Sequence, residues 1–510
     1  MKYPISGPTT RHESPVKMKF RICFPLIAIF LLNGLNLRVL VGADAMDALR
    51  QDLSMIFTGR QMADAQWGVA IYSLDRNEFL FEQNAHKLYV PASNEKLITA
   101  AAALMRLGPD YRFKTKVLSD GTIEDGVLRG NLIIQGFGDP SASVRMGNKD
   151  PFAIFSDWGA RLKKRGIQAI AGGLVGDATA FSGPGHGRGW ELDDLIEGYA
   201  APVSALQFNE NFVSLDIRPA VKTGAAATMV QKPLPDYLRL SGSVITRTGG
   251  ERIAVARSEE GASRLSAGEA MRISGAIPLK NPVFNRLIAV QHPVRYYLEA
   301  LRYQLAQEGI DTTNCHIEEA AVPKTATLLW THESAPLREL LAPVVKESLN
   351  LPAETLLRAL GREIRNTGTD AAGIAVVEAV LEGMGVAKGS YVYVDASGLS
   401  RRNLVSAEIL VKVLESMRKQ PTFSQFYSTL AIAGIDGTMK NRLRKTAAEG
   451  NVRAKTGTIS SASSISGYIK TADGEMLAFS MIANNYPFSK ATAEDAQNRA
   501  LIRLASFSRK

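Results

Sequence analysis

Cysteine is almost absent from this 510-residue chain: there are two, Cys23 and Cys315. Cys23 falls in an N-terminal stretch with the features of a leader, which leaves Cys315 alone, so no internal disulfide can staple the fold. Histidine is nearly as scarce. His86, His186, His292, His316 and His332 follow the leader, and no two stand at a metal-ligand spacing. The chain lacks a G-x-S-x-G elbow, a Walker loop and a dinucleotide-binding fingerprint, and it has no internal repeat or long low-complexity tract. The longest apolar run near the start, Ile22 to Leu32, is 11 residues, too short to span a bilayer, and Asn33, Asn36 and Arg38 interrupt its extension.

What is present is ordinary for a globular protein: 45% hydrophobic and 22% charged residues. The length implies two or three domains. Lys17, Lys19 and Arg21 precede the short apolar run, and Ala43-Asp44-Ala45 follows it, so residues 1–45 read as a secretory signal peptide and the protein as exported to the periplasm or cell envelope. Formal charge is +10, falling to about +6 without the leader. The basic residues are scattered, which speaks against a nucleic-acid partner and allows attraction to an anionic wall polymer.

Alternation on either side of Leu74–Asn77 predicts a hairpin from Gly68 to Phe81. A helix opened by Ser93 continues to Leu107 and stops at Gly108-Pro109. From Tyr111 to Pro323 short alternating runs, such as Leu128–Ile134 and Phe212–Ile217, are separated by Gly and Pro clusters. Helical spacing then returns at Leu337–Val345, Ala353–Leu360, Ala371–Met384 and Ser406–Met417. Strands Ser463–Thr471 and Met476–Ala483 and a last helix, Ala491–Ser506, close the chain. The expectation is a multi-domain α/β (α+β) protein. One sheet, closed by both termini, spans 46–112 and 325–510, and a β-rich block of one or two domains at 113–324 is inserted into it.

Three short segments carry candidate chemistry. Ser93-Asn94-Glu95-Lys96 places a hydroxyl and an amine three apart on one helix face, at the end where backbone N–H groups are free. Ser348-Leu349-Asn350 lies in a break between helices, and Lys455-Thr456-Gly457-Thr458 heads the C-terminal sheet at its edge, where Gly457 would let a substrate backbone approach. Each has a bland explanation alone: helix-end polarity, turn chemistry, a surface lysine. Ser-x-x-Lys also occurs at Ser14–Lys17 and Ser416–Lys419, and Lys-Thr-Gly at Lys222–Gly224. Their order and their placement in the right elements single out one set.

That triple resembles the class C low-molecular-mass penicillin-binding proteins, the serine D-alanyl-D-alanine carboxypeptidase/endopeptidase family. Further resemblance lies in Gly136–Pro140, Ala200–Leu206, Asp395–Arg401 and Ala433–Thr438, with Leu349 standing where relatives commonly carry aspartate. The resemblance implies a transpeptidase-like domain, an antiparallel sheet with flanking helices and an all-helical lobe. It also implies a site that needs no metal or cofactor and acts on peptidoglycan stem peptides, with β-lactams as covalent ligands.

In that scheme Ser93 attacks and Lys96 takes its proton, Ser348 relays a proton to the leaving amine, and Asn350 holds the substrate amide. Lys455 and Thr456 bind the terminal carboxylate, the N–H groups of Ser93 and Thr458 form the oxyanion hole, and Arg401 contacts the diamino acid. A β-lactamase and a silent muropeptide-binding wall protein are the alternatives. Oligomeric state and peripheral wall or membrane association stay open.

Overall fold

The computed structural model describes residues 33–147, 149–258 and 268–510. The basic head and apolar run of the expected leader lie outside the described residues; from Asn33 a helix runs to Thr58, through Ala43–Ala45. No helix among the described residues is long and apolar enough to cross a membrane.

Both ends of the chain build one six-stranded sheet, ordered Ala431–Ile432, Arg453–Ile459, Ala462–Lys470, Met476–Asn484, Gln66–Ser73, Glu78–Gln83. The expected hairpin forms around Leu74–Asn77, and its first strand pairs antiparallel with the last strand of the sheet, from Gln66 opposite Asn484 to Ser73 opposite Leu477. Apolar residues occupy both faces of these strands because both faces are covered. Val69, Ile71, Phe479 and Met481 pack with Leu49, Leu53 and Phe57 of the first helix and Ala500 and Leu504 of the last, Lys490–Ala505. Ala70, Ala478 and Ile482 pack with Leu410, Val413 and Leu414 of the helix Ala407–Arg418. Each such fully buried aliphatic side chain contributes about 1.5–3 kcal/mol.

That second core continues into a helical lobe made by Glu95–Arg106, Leu337–Lys346, Asn350–Arg365 and Asp370–Gly383. Ala100 to Ala103 are fully buried, and their small side chains let the Glu95–Arg106 helix sit close to its neighbours. Thr369 and Ser406 cap the helices that follow them by accepting the N–H groups of Ala372 and Ile409.

The intervening block is rich in strands, as expected, with a five-stranded sheet, two three-stranded sheets whose strands fall between the third and fourth strands of the first in sequence, and a small sheet of two-residue strands. Its core holds Phe155, Trp158, Phe208, Tyr296 and Leu301. Two details differ from the sequence reading. The run Leu128–Ile134 is not one strand: the chain turns at Arg129–Asn131, where Gly130 packs on Gly121, so Val127–Leu128 and Leu132–Gly136 join different sheets. Thr327–Glu333, expected on the catalytic side of a boundary at 324, pairs with Lys114–Ser119 and completes the inserted five-stranded sheet. The crossing points lie side by side: Ser334 N–H donates to the Phe113 carbonyl and Leu337 N–H to that of Tyr111.

Candidate active site

Ser93 does not open the α-helix as the sequence suggests. It sits in a 3-10 turn, Ala92–Asn94, that feeds the helix starting at Glu95, and its side chain caps nothing. The preceding Ala92 adopts a left-handed conformation, φ +48°, which a non-glycine residue holds only under restraint from its surroundings. Gly398 supplies part of that restraint: a Cβ there would stand 1.8 Å from the Ala92 carbonyl oxygen. Gly457 supplies more. A Cβ on it would meet the Pro91 carbonyl at 2.7 Å and the Ser93 nitrogen at 2.8 Å. The space expected there for substrate is therefore filled by the Ser93 turn, and the glycine seats the Lys455 strand against it. With its amide turned to suit its neighbours, buried Asn94 donates to the Lys455 carbonyl at 2.7 Å and accepts from Ile465 N–H at 3.1 Å.

Lys96 is 1% exposed, one helical turn below Ser93. Its Nζ lies 2.9 Å from Ser93 Oγ and donates to Asn350 Oδ1 and to the Ser397 carbonyl, each at 2.7 Å. Burial brings the amine down from 10.5 to about 7, while Glu354, Asp395 and Glu95 pull in the opposite direction. A neutral amine has two N–H groups and one lone pair. The two carbonyl acceptors use the N–H groups, which leaves the lone pair for the Ser93 hydroxyl proton.

The second motif occupies a tight break between two helices. Ser348 has φ +61°, Leu349 is buried in the helical core, and Asn350 opens the next helix. Ser348 Oγ accepts from Lys455 Nζ at 2.9 Å, and Lys455 also donates to the Thr456 carbonyl. Burial, with Lys96 adding repulsion, holds the Lys455 amine well below the ordinary lysine range. An anion arriving beside it reverses that depression. Apart from the two-residue strand Ala431–Ile432, which pairs with Arg453 and Ala454, no strand among the described residues pairs with the Lys455 strand along its cleft side. Thr456 Oγ1 bonds Thr438 Oγ1 at 2.7 Å.

Of the other copies of these motifs, Ser14–Lys17 lies outside the described residues and the rest stand apart. Lys222–Gly224 lies in an exposed loop, and Lys419 pairs with Glu415 at the end of its helix. Ser93, Ser348, Asn350, Thr458 and Arg401 line one cleft of about 740 Å³, and the Arg401 guanidinium donates to the Ser460 carbonyl at 2.5 Å. A cavity of similar size, about 760 Å³, lies in the inserted block between Tyr237 and Thr313 and contains none of these groups.

Several supporting residues carry no motif signal. Glu354, one turn beyond Asn350, accepts Ser397 N–H at 2.8 Å and Ala396 N–H at 3.1 Å, and so fixes the backbone that leads into the Ser397 carbonyl receiving Lys96. Burial and the nearby Asp395 push Glu354 up to about 8. Asp395 accepts the N–H groups of Gly398 and Ser400 and, from the inserted block, Trp190 Nε1 at 2.9 Å. Asn350 Nδ2 donates to the Tyr199 carbonyl, also from that block, and Glu191 and Asp194 line the cleft with it. The insertion thus forms one wall of the site. Only Asp395–Arg401, already notable as a stretch of resemblance, signalled any of this in the sequence.

The Ser93 turn, two buried lysines and the Lys455 strand edge thus surround one cleft. The sequence pattern of the D-Ala-D-Ala carboxypeptidase 3 (S13) family matches residues 49–506. The chain belongs to that family. The D-alanyl-D-alanine carboxypeptidase of Actinomadura sp. (strain R39) is 30% identical over 506 residues, covering 95% of this chain and 90% of its own. The crystal structure of penicillin binding protein 4 (dacB) from Haemophilus influenzae matches with a TM-score of 0.76 at 27% identity, covering 90% of this S13 chain and 98% of that one. The same protein complexed with a novel beta-lactam matches at 0.70 and 26%, covering 88% and 97%. The penicillin-binding fold with inserted domains, read from the sequence, is therefore the fold of this S13 protein.

Proposed function

We propose that this S13 peptidase hydrolyses the D-alanyl-D-alanine end of peptidoglycan stem peptides, and related cross-links, through an acyl-enzyme on Ser93 in the periplasm or cell envelope. One observation carries the reading: a buried lysine amine within 2.9 Å of Ser93 Oγ, beside a second amine–hydroxyl pair, Lys455 and Ser348, in the same cleft. Two neutral-leaning amines, each against its own hydroxyl, suit acyl transfer.

The substrate lies extended along the free edge of the Lys455 strand. Its terminal carboxylate pairs with Lys455 and Thr456, and Asn350 holds the amide. Ser93 Oγ adds to the penultimate carbonyl as its proton passes to neutral Lys96. The developing oxyanion is met by the N–H groups of Ser93 and Thr458, each worth about 3 kcal/mol in such a hole. The C–N bond then breaks, and the leaving amine takes a proton through Ser348, whose hydroxyl Lys455 orients. Water adds to the acyl-enzyme, the ester C–O bond breaks, and Ser93 recovers its proton.

Arg401, Glu191 and Asp194 give the same cleft both signs of charge. That suits a diamino acid side chain that ends in an amine and a carboxylate. β-Lactams enter as carboxylate-bearing acylating agents, in keeping with the beta-lactam complex of the Haemophilus influenzae protein.

The test is release of D-alanine from a synthetic stem pentapeptide. Wild-type protein releases it, Ser93→Ala does not, and penicillin turnover stays slow. Rapid penicillin hydrolysis without D-alanine release would favour the β-lactamase reading, and muropeptide binding with no product the silent one.

A further inference from the structure

The cleft continues past the groups that perform the chemistry. Beyond Thr458 it runs over Ile459, Ser460 and Ser461 to a shelf formed by Tyr486, Pro487 and Phe488, with Lys490 at the rim. The Tyr486 and Phe488 rings are stacked, 4.8 Å between centroids at 12°. Tyr486 is buried, Phe488 half-buried, and Pro487 and Lys490 exposed. The shelf is fixed to the sheet: Asn485 N–H donates to the Ser461 carbonyl at 2.9 Å, and Asn485 Nδ2 reaches Gln66 Oε1 at 3.0 Å. Lys490 pairs with Glu494 one turn along its helix, an exposed ion pair at 3.2 Å that costs little to exchange for another anion.

None of these residues touches Ser93, Lys96 or Lys455, and the mechanism above makes no use of them. A stacked aromatic pair with the Phe488 ring half-buried, lining the same cleft as an ammonium, is the composition of a subsite for an acyl-side residue with an apolar stem and an anionic group. Register decides which residue. An extended peptide rises about 3.3 Å per residue, as does the strand it pairs with. If the terminal residue lies at Lys455–Gly457 and the scissile carbonyl at Thr458, the diamino acid falls beside Ile459–Ser460, and the residue upstream of it reaches Ser461 and the shelf.

Resting on the proposed carboxypeptidase reading, we infer that Tyr486, Phe488 and Lys490 form a subsite for the stem residue immediately upstream of the diamino acid, with Lys490 reading that residue's free carboxylate. The subsite discriminates stems with an acidic upstream residue from those in which this carboxylate is amidated, and both from stems truncated before it.

The experiment compares three synthetic substrates sharing the diamino acid and D-Ala-D-Ala: one beginning at the diamino acid, one extended upstream with a free carboxylate, and one extended with that carboxylate amidated. In wild-type protein kcat/KM is highest for the extended acid, the difference residing in KM. Lys490→Ala lowers the ratio of kcat/KM for the extended acid to that for the amidated substrate about fivefold, and Lys490→Glu lowers it further. Phe488→Ala lowers the ratio of either extended substrate to the truncated one. Equal kcat/KM for all three substrates, or equal losses on all three in the variants, overturns the subsite while leaving the activity standing. Failure of wild-type protein to release D-alanine from even the truncated substrate overturns the carboxypeptidase reading itself.

Discussion

Lys96 offers the sharpest quantitative handle on the chemistry. Burial takes its amine from 10.5 to about 7, and if the neutral amine receives the Ser93 proton, acylation tracks the neutral fraction. That fraction is about 9% at about pH 6 and about 91% at about pH 8, so the rate climbs about tenfold across that interval and then levels. A lysine left near 10.5 would give about a hundredfold rise over the same interval and no levelling before about pH 10. The assay is pseudo-first-order labelling by a fluorescent penicillin in excess, between about pH 5.5 and about pH 9.5, a range bracketing the lowered value.

The same group sets a stability trend. Its folded value lies below its unfolded one, so between about 7 and about 10.5 the unfolded chain holds the extra proton and stability rises with pH. Below about 7 the full deficit is present, about 5 kcal/mol for this buried amine. Lys96→Met abolishes labelling but removes that deficit. With three hydrogen bonds lost at about 1 kcal/mol each, the net gain is about 2 kcal/mol at neutral pH. An acylation rate still rising in proportion to hydroxide past about pH 9 would refute Lys96 as the base.

Other consequences follow from neighbouring residues. Glu354, pushed up to about 8, carries little charge below about pH 7, so Glu354→Gln leaves the midpoint of the labelling profile near about 7. The substitution turns an amide N–H toward a backbone N–H, costing about 1–3 kcal/mol in urea unfolding. Lys455→Met, by removing the partner of the terminal carboxylate, lowers kcat/KM for a pentapeptide by about one to two orders of magnitude. It affects a substrate whose terminal carboxylate is amidated far less. Gly398→Ala puts a Cβ 1.8 Å from the Ala92 carbonyl at a backbone φ of +79°. It should unfold at lower temperature and label slowly even where folded. Arg358, 2% exposed and paired with Asp370, also donates to the Pro184 carbonyl of the insertion. Arg358→Met leaves Asp370 and that carbonyl unpaired, destabilises by about 3 kcal/mol, and should speed proteolysis near Pro184.

Long elements with strong periodicity were legible in the sequence. The hairpin around Leu74–Asn77, the helices from Leu337 to Met417 and the closing strand pair all lie within a few residues of expectation. In each, local propensity and tertiary burial agree. The candidate site stood out for a different reason: Ser93, Lys96, Ser348, Asn350 and Lys455 belong to short motifs whose order on the chain carries information.

What escaped depends on contacts between distant segments. Ser93 looked like a helix opener because Ser favours that place. Its 3-10 turn is imposed by Gly398 and Gly457, more than 300 residues away. Glu354 belongs to no motif, and only the fold shows it buried against Ala396 and Ser397. The wall contributed by Trp190, Asp194 and Tyr199 lies in a glycine-broken loop, where periodicity has nothing to report. The inserted sheet reached past residue 324 because strand pairing at Thr327–Glu333 is a long-range contact that composition does not encode.

The central claim, that Ser93 is the acylated residue, is tested most directly by locating the adduct. Wild-type protein is incubated with penicillin, digested, and the modified peptide identified by mass spectrometry. A single penicilloyl group on the Ser93 hydroxyl, lost together with D-alanine release in Ser93→Ala, is the expected result. An adduct on another residue, or undiminished labelling of Ser93→Ala, would contradict it.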